Sequence, residues 1–167
     1  MKETERQKLI AEAMEAEKRK LFCYACYRLG NAEEAKDILQ DLFITLYETP
    51  GVAESTNNLK SYIFRSLSNK CNALLQKRQQ LQIVNIESKE ASEQEEYQPA
   101  NFEQEFKLIN RLLETIPQEQ SEVIRLHIHG EKTFKEIGDI LQIPEASVKS
   151  RYRYGIEKLH REIKNNH

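Results

Sequence analysis

One stretch constrains how this chain can fold more than any other. From Glu87 to Asn101 the sequence reads ESKEASEQEEYQPAN, without apolar periodicity, rich in Glu, Gln and Ser, with a proline near its end. A segment of this composition cannot bury enough apolar surface to offset its ordering entropy. It divides the 167 residues into two pieces, each large enough for only a modest core. On both sides the apolar residues recur at three and four, and no run alternates long enough to argue for a sheet. The expectation is an all-α protein of two small helical domains, 1–80 and 105–167, joined by a flexible acidic linker over 81–104.

In the first piece, Ala35, Ile38, Leu39, Leu42, Phe43, Leu46 and Tyr47 form one apolar stripe of a helix, with Asp37, Gln40 and Asp41 on its other side. Pro50-Gly51 ends it, and the polar run Glu54 to Asn58 reads as a loop. A second long helix is expected from about Leu59 to Gln79, burying Leu59, Tyr62, Ile63, Leu67, Cys71, Leu74 and Leu75. Arg65, Asn69, Asn72 and Gln76 share the opposite strip at spacings of four, three and four. Such a strip is often no more than a solvated face. Charge sets it apart here: no acidic residue occurs from Leu59 through Ile86, where Lys60, Arg65, Lys70, Lys77 and Arg78 are basic, whereas the preceding stretch is predominantly acidic.

The second piece opens with an amphipathic helix carrying Phe106, Ile109, Leu112, Leu113 and Ile116 and stopping at Pro117. From Thr133 the pattern is that of a helix-turn-helix. Thr133 and Glu136 make a capping box, Phe134, Ile137, Ile140 and Leu141 face inward, and Gly138 sits where a second helix could cross closely. Gln142-Ile143-Pro144 is the turn, with proline suited to the first turn of the helix that follows. That helix, Glu145 to about Lys164, points Val148, Tyr152, Ile156, Leu159 and Ile163 inward. Ser147, Lys149, Ser150, Arg151 and Arg153 are left outward near its start, where a recognition helix meets base edges and phosphates. An ordinary helical hairpin with a basic face would show much of the same pattern.

The whole chain carries a net charge of -2 and a pI of about 6.1, so DNA binding has to be local. No signal-peptide pattern and no apolar run of membrane-spanning length is present, which argues for a cytoplasmic protein without membrane insertion. Cys23, Cys26 and Cys71 form no disulfide framework, and Cys23-x-x-Cys26 lacks the further ligands of a zinc site, so buried free thiols are expected. His127 and His129 precede Gly130 at a helix end and suit terminal carbonyls better than a metal. No cofactor or metal is expected. There is no phosphate loop, nucleophile elbow or Ser-His-Asp set, so no enzymatic chemistry is expected of the chain itself.

Across nearly its full length the chain resembles the extracytoplasmic-function (ECF) subfamily of RNA polymerase sigma factors. Ala35-Lys36-Asp37-Ile38-Leu39-Gln40-Asp41-Leu42-Phe43 looks like that family's polymerase-docking helix. Leu59 to Arg78, with Tyr62-Ile63-Phe64-Arg65 and Asn69, resembles the helix that melts and reads the minus-ten element. Leu113 to Pro117 resembles the lead-in to sigma-4, and Ser147-Val148-Lys149-Ser150-Arg151 its recognition helix. The likeness is nearest to the shorter members of Bacteroides-like bacteria. Two departures bear on promoter preference: Tyr62 stands where the family usually has tryptophan, and Ala73 where it usually has aspartate.

The resemblance implies a sigma-2 domain, a linker and a sigma-4 domain that together bind core RNA polymerase and promoter DNA, with an extracytoplasmic signal and an anti-sigma factor in control. It implies polymerase contacts from Asp37, Gln40, Asp41 and Phe43, and minus-ten contacts from Tyr62, Phe64, Arg65, Asn69, Asn72, Lys77 and Arg78. Tyr62 or Phe64 would stack on a flipped base. Minus-thirty-five contacts fall to Ser147, Lys149, Ser150, Arg151 and Arg153. A linker of about 24 residues reaches roughly 80 Å, ample for the roughly 34 Å of one DNA turn between contacts. The rival readings are a free-standing helix-turn-helix regulator, disfavoured by the lack of a receiver-type strand pattern in the first half, and a helical adaptor without DNA, disfavoured by the basic acid-free helix.

Overall fold

The computed structural model describes residues 3–52, 58–84 and 101–165. Among these residues the chain forms seven helices and no strand: α1 Glu3–Leu29, α2 Ala32–Glu48, α3 Leu59–Val84, α4 Asn101–Glu114, α5 Gln118–Ile128, α6 Phe134–Leu141 and α7 Glu145–Asn165. The all-α expectation is met. Helix α3 runs five residues beyond the expected Gln79, since Gln80 to Val84 contains neither glycine nor proline to stop it. Helix α4 likewise begins at Asn101, so helix occupies both ends of the stretch read as linker. Residues 85–100 of that stretch, and 54–57 of the expected loop, lie outside the described residues.

The first module is built on α1. Its buried positions Arg6, Ile10, Ala13, Glu17, Leu21, Tyr24 and Ala25 follow one stripe, and Glu3 and Glu5 at the start with Arg28 near the end match the helix dipole. Arg6 donates to the Thr49 carbonyl at 2.8 Å, tying the start of α1 to the end of α2. Gly30, at φ 75°, turns the chain into α2, where Asn31 caps by accepting from the Glu34 amide at 3.0 Å. Asn58 caps α3 in the same way through the Ser61 amide at 3.1 Å. Leu21, Leu42, Ile63 and Leu67 are fully buried where the three helices meet, each contributing roughly 1.5–3 kcal/mol of transfer free energy.

In the second module the capping box is formed as read, with reciprocal Thr133–Glu136 bonds of 3.0 and 3.1 Å. Gln142 takes the left-handed conformation at the end of α6. A β-carbon on Gly138 would lie 2.9 Å from the Ile143 carbonyl oxygen and 3.8 Å from the Glu145 α-carbon, so the glycine admits both the turn and the close start of α7. Gly155 gives Ile124 and Gln120 of α5 room against α7. Leu113, Ile116 and Ile124 make a small core with Ile109, Tyr152, Ile156 and Leu159, while Ile163, expected inward, is 43% exposed near the end of α7. No helix among the described residues is long and apolar enough to cross a membrane.

The modules pack on each other. One continuous core runs from Ile10, Leu21 and Leu42 through Ile63 and Phe64 to Val123, Leu126, Ile137 and Ile140. At its edge the corner after α1 touches α4, where a β-carbon on Gly30 would fall 2.4 Å from the Phe106 ring. Gly51 has the same backbone hand, φ 84°, with nothing within 4 Å. Gly51→Ala is expected to lose about 1 kcal/mol for the left-handed backbone alone, and Gly30→Ala at least about 1 kcal/mol more because Phe106 has to move. Thermal unfolding followed by circular dichroism checks this ranking; equal melting temperatures would contradict the packed corner.

Candidate polymerase and nucleic-acid interfaces

On α2, Asp37, Gln40 and Asp41 are exposed on one face. Asp41 accepts from Lys70 of α3 at 2.8 Å, so part of its charge is already met within the module. Phe43 is half-buried against Tyr47, ring centroids 5.0 Å apart. Beside this face lies a groove of about 790 Å³ between α1 and α2, lined by Met14, Leu21, Phe22, Leu39, Phe43 and the half-exposed Ile44, with Glu15, Lys18, Lys36 and Gln40 at its polar positions. The α1 wall of the groove was not read from the sequence. Met14 and Phe22 join Phe43 only once the two helices pair, and no local pattern announces that.

Helix α3 differs from its sequence reading in one important respect. The inward residues Ile63, Leu67 and Cys71 are buried as expected, but Ser61, Phe64 and Ser68 are buried as well, Phe64 meeting Lys132 and Ser68 meeting Glu122 of the other module. Phe64 is therefore not available to a flipped base in this arrangement. It is 0% exposed, meets the Tyr24 ring edge-on at 6.3 Å, and has the Lys132 ammonium 4.4 Å from its ring centre. Arg65 and Asn72, expected on the solvated strip, are both engaged: Arg65 donates to the Ile140 carbonyl at 2.9 Å, and Asn72 accepts from Arg28. Arg78 donates to the Leu29 carbonyl at 3.1 Å and pairs with Glu34, and burial pulls its pKa down. Asn69, Gln76 and Lys77 are exposed, and Tyr62 is half-buried with the Arg65 guanidinium 5.8 Å from its ring.

At the start of α7, Lys149, Ser150 and Arg153 are exposed, and Ser147 and Arg151 partly so. Lys149 lies 3.9 Å from Glu145 and Arg151 3.9 Å from Glu119 of α5; Arg153 sits over the exposed Tyr154 ring at 5.0 Å. Exposed pairs this long hold a side chain loosely. The positive groups can exchange these partners for phosphates.

The cysteines and histidines take packing roles. Burial pushes the Cys26 thiol to about 11 and the Cys71 thiol to about 12, and Cys23 is also raised, so all three are protonated at neutral pH. His127 stacks on Phe134 and meets the Lys132 carbonyl at 2.8 Å. His129 caps α5 and stacks on Tyr27 of α1 at 3.9 Å, where burial and then Arg125 depress its pKa to about 4. No group of three or more His, Cys, Asp or Glu that could hold a metal ion occurs among the described residues.

What the sequence reading missed altogether is a polar seam between the modules. Glu122 of α5 accepts from Tyr24 at 2.7 Å and Ser68 at 2.8 Å and faces Arg28 at 3.8 Å. Lys132 donates to Glu17 at 3.0 Å, and their side chains are only 2% and 7% exposed. Arg125, its pKa lowered to about 10 chiefly by burial and then by Arg28, donates to the Tyr27 carbonyl at 3.2 Å. A signal for part of this was present: Glu17 occupies a position in the apolar stripe of α1, where a charge needs a buried partner.

Residues 13–80 match the family Sigma-70 region 2, and residues 112–161 match Sigma-70, region 4. The chain is 26% identical to the ECF RNA polymerase sigma factor SigW of Bacillus subtilis, over 95% of this chain and 90% of that protein. The fold is similar to that of CnrH in a complex with the cytosolic domain of CnrY, with a TM-score of 0.71, 14% identity, and 99% and 94% of the two chains covered. It is also similar to the sigma factor RpoE of Bartonella quintana in complex with the anti-sigma factor NepR, with a TM-score of 0.60, 18% identity, and 94% and 95% covered. A free-standing regulator would leave the region 2 match without a role. Carrying regions 2 and 4 in that order over more than half its length, the chain belongs to the sigma-70 family as an ECF sigma factor, a subunit that binds core RNA polymerase and directs transcription initiation at specific promoters.

Proposed function

We propose that α2 and its groove dock the polymerase, that α3 reads and opens the minus-ten element, and that the start of α7 reads the minus-thirty-five element. The observation that carries this assignment is the separation of charge over three surfaces: acid on α2, an acid-free basic α3, and on α7 the cluster Lys149, Arg151 and Arg153, exposed or partly so. Asp37, Gln40 and Asp41 offer a polymerase surface complementary charge, and Phe43 offers it apolar area inside the groove. On α3, the exposed Asn69 presents an amide, the exposed Lys77 follows the phosphate backbone, and Tyr62 stacks on an unpaired base for roughly 1–3 kcal/mol, whereas Phe64, Asn72 and Arg78 serve DNA only after leaving the partners they hold in this arrangement. Both modules bind weakly alone and become specific when joined through polymerase, which raises the effective concentration of each for its element.

In this reading the sigma factor performs no chemistry itself and works in the cytoplasm under an anti-sigma factor that answers an extracytoplasmic signal. Support for the anti-sigma factor comes from the similar structures, CnrH in complex with the cytosolic domain of CnrY and the sigma factor RpoE in complex with the anti-sigma factor NepR. Placement among the Bacteroides-type members rests on the sequence resemblance alone.

Two experiments test the surfaces. Reversing charge with Asp37→Lys and Asp41→Lys together is expected to lower co-purification with core polymerase at least tenfold, with the larger share from Asp37, since Asp41 already pairs with Lys70. Unchanged recovery would remove α2 from the docking surface. For α7, single alanine variants in the holoenzyme are assayed against upstream elements randomised one base pair at a time, at several salt concentrations. Arg151→Ala and Ser150→Ala should relax one position each, by about 1–3 kcal/mol for a base contact, while Lys149→Ala and Arg153→Ala weaken all sequences alike and reduce the salt slope by about one. The opposite pattern would exchange the two roles.

A further inference from the structure

A second cleft, of about 530 Å³, opens where the end of α1 meets the second half of α3 and helices α4 and α5. Three guanidiniums line it from three different helices: Arg28 of α1, Arg78 of α3 and Arg125 of α5. Two of them are almost out of water, Arg125 being 4% exposed and the Arg28 side chain 10%.

The charges of these two are incompletely met. Arg125 donates only to neutral acceptors, the Tyr27 carbonyl at 3.2 Å and the Asn110 amide oxygen at 2.9 Å, and makes no ion pair with a carboxylate among the described residues. Arg28 donates to Asn72 and faces Glu122 at 3.8 Å, beyond hydrogen-bond reach, so its buried Nε–H is left without an acceptor. The other oxygen of Glu122 is held by Tyr24 and Ser68. Arg78, at the mouth and 31% exposed, pairs with Glu34. The remaining carboxylate of the lining, Glu114, is exposed, where water screens it, and holds the Asn110 amide at 2.9 Å. Two buried cations thus share a single carboxylate that is in hydrogen-bond contact with neither. The lowered pKa of Arg125, set by burial and then by Arg28, reflects the same crowding of positive charge. Buried charges in that condition are stabilised by an anion that brings both charge and acceptors.

We propose that this cleft binds the phosphate group of a small molecule, seated on Arg125 and the unpartnered Nε–H of Arg28, with Arg78 at the mouth. A phosphate suits the site better than a carboxylate, because its several oxygens can accept from different guanidiniums at once and its higher charge balances two buried cations. The cleft has room for more than the phosphate, since its volume falls within the roughly 300–1,000 Å³ of small-molecule sites. Beyond the arginines it offers the side-chain amides of Gln76, Gln79 and Gln118 beside Leu75 and Ile116. Amides both donate and accept, as the edge of a nucleobase requires, and the apolar pair offers a surface to its ring. The phosphate can therefore come from a nucleotide or from an inorganic polyphosphate. Arg28 and Arg78 belong to one module and Arg125 to the other, so the bound anion spans the joint. The site depends on the packing of the helices and not on which helix reads which promoter element.

The test titrates the full chain, without polymerase or DNA and in magnesium-free buffer, with pyrophosphate, ATP, GTP and, as a carboxylate control, citrate, followed by isothermal titration calorimetry. At least one phosphate compound should bind at one per chain and at least about tenfold more tightly than citrate. ATP or GTP binding at least about tenfold more tightly than pyrophosphate identifies a nucleotide, and any other order an inorganic polyphosphate. Arg125→Gln should weaken the tightest of them at least about tenfold, whereas Lys135→Gln, which removes an exposed cation of α6 away from the cleft, should leave it within about twofold. Binding by none of the phosphates, citrate as tight as they are, or equal losses in the two variants would overturn the proposal. If Arg125→Gln loses helical content by circular dichroism, Arg78→Gln decides: this less buried residue should cost at least about threefold, and no loss would again overturn the site. Because polymerase and promoter are absent from the assay, a failure of the proposed docking or promoter surfaces leaves its outcome unchanged.

Discussion

A carboxylate removed from water has to recover hydrogen-bond donors or be neutralised. Glu122 projects from α5, the central helix of the C-terminal module, yet it finds Tyr24, Ser68 and Arg28 on α1 and α3 of the other module. That geometry sets how the two modules are placed. Once Glu122 is seated, Arg125 lies one turn further along α5 against the Tyr27 carbonyl, and His129 one turn beyond that against the Tyr27 ring. The turn after α5 then delivers Lys132 to Glu17. Four successive turns of chain are indexed against α1 by polar chemistry, which is directional where apolar packing is not.

Stability and placement are thus divided between different kinds of residue. Each module keeps apolar stripes that bury themselves on its own helices, as Leu42 and Leu67 do in one and Leu113 and Ile124 in the other. Buried ion pairs add little net stability compared with apolar replacements, yet they are costly to leave half-made. They select one mutual orientation and discourage a slipped one. A seam built this way defines the docked orientation sharply, beside an apolar core that the two modules share through Phe64, Leu126, Ile137 and Ile140.

How much of this the sequence disclosed depends on range. The capping box at Thr133, the stop at Pro117 and the stripes of α2 and α3 are local, set by neighbours within a turn, and all were readable. The end of α3 was misplaced because Gln80 to Val84 carries neither a stop signal nor a strong stripe. Phe64 was assigned to base stacking from the family resemblance; its burial, with Ser68, along a second edge of α3 needs the other module to make sense of it. The α1 half of the groove and the partners of Glu122 were out of reach for the same reason. Glu17 alone marked the seam, as a charge standing in an apolar row.

The Arg65 bond to the Ile140 carbonyl has a consequence for how this protein can diverge. Under the proposed assignment of α3 to the minus-ten element, Arg65 would be both a reader of bases and a tether to α6, and so under two selections at once. Duplicated copies that drift toward new promoters by changing α3 would alter, with the same substitution, how readily the chain unfolds from itself. Changes to Lys149 or Ser150 carry no such burden, since α7 presents them to solvent. Under the proposed assignment of α7 and α3, upstream preference is therefore free to diversify among paralogues, while the downstream element should change slowly and in step with compensating changes on α5 and α6.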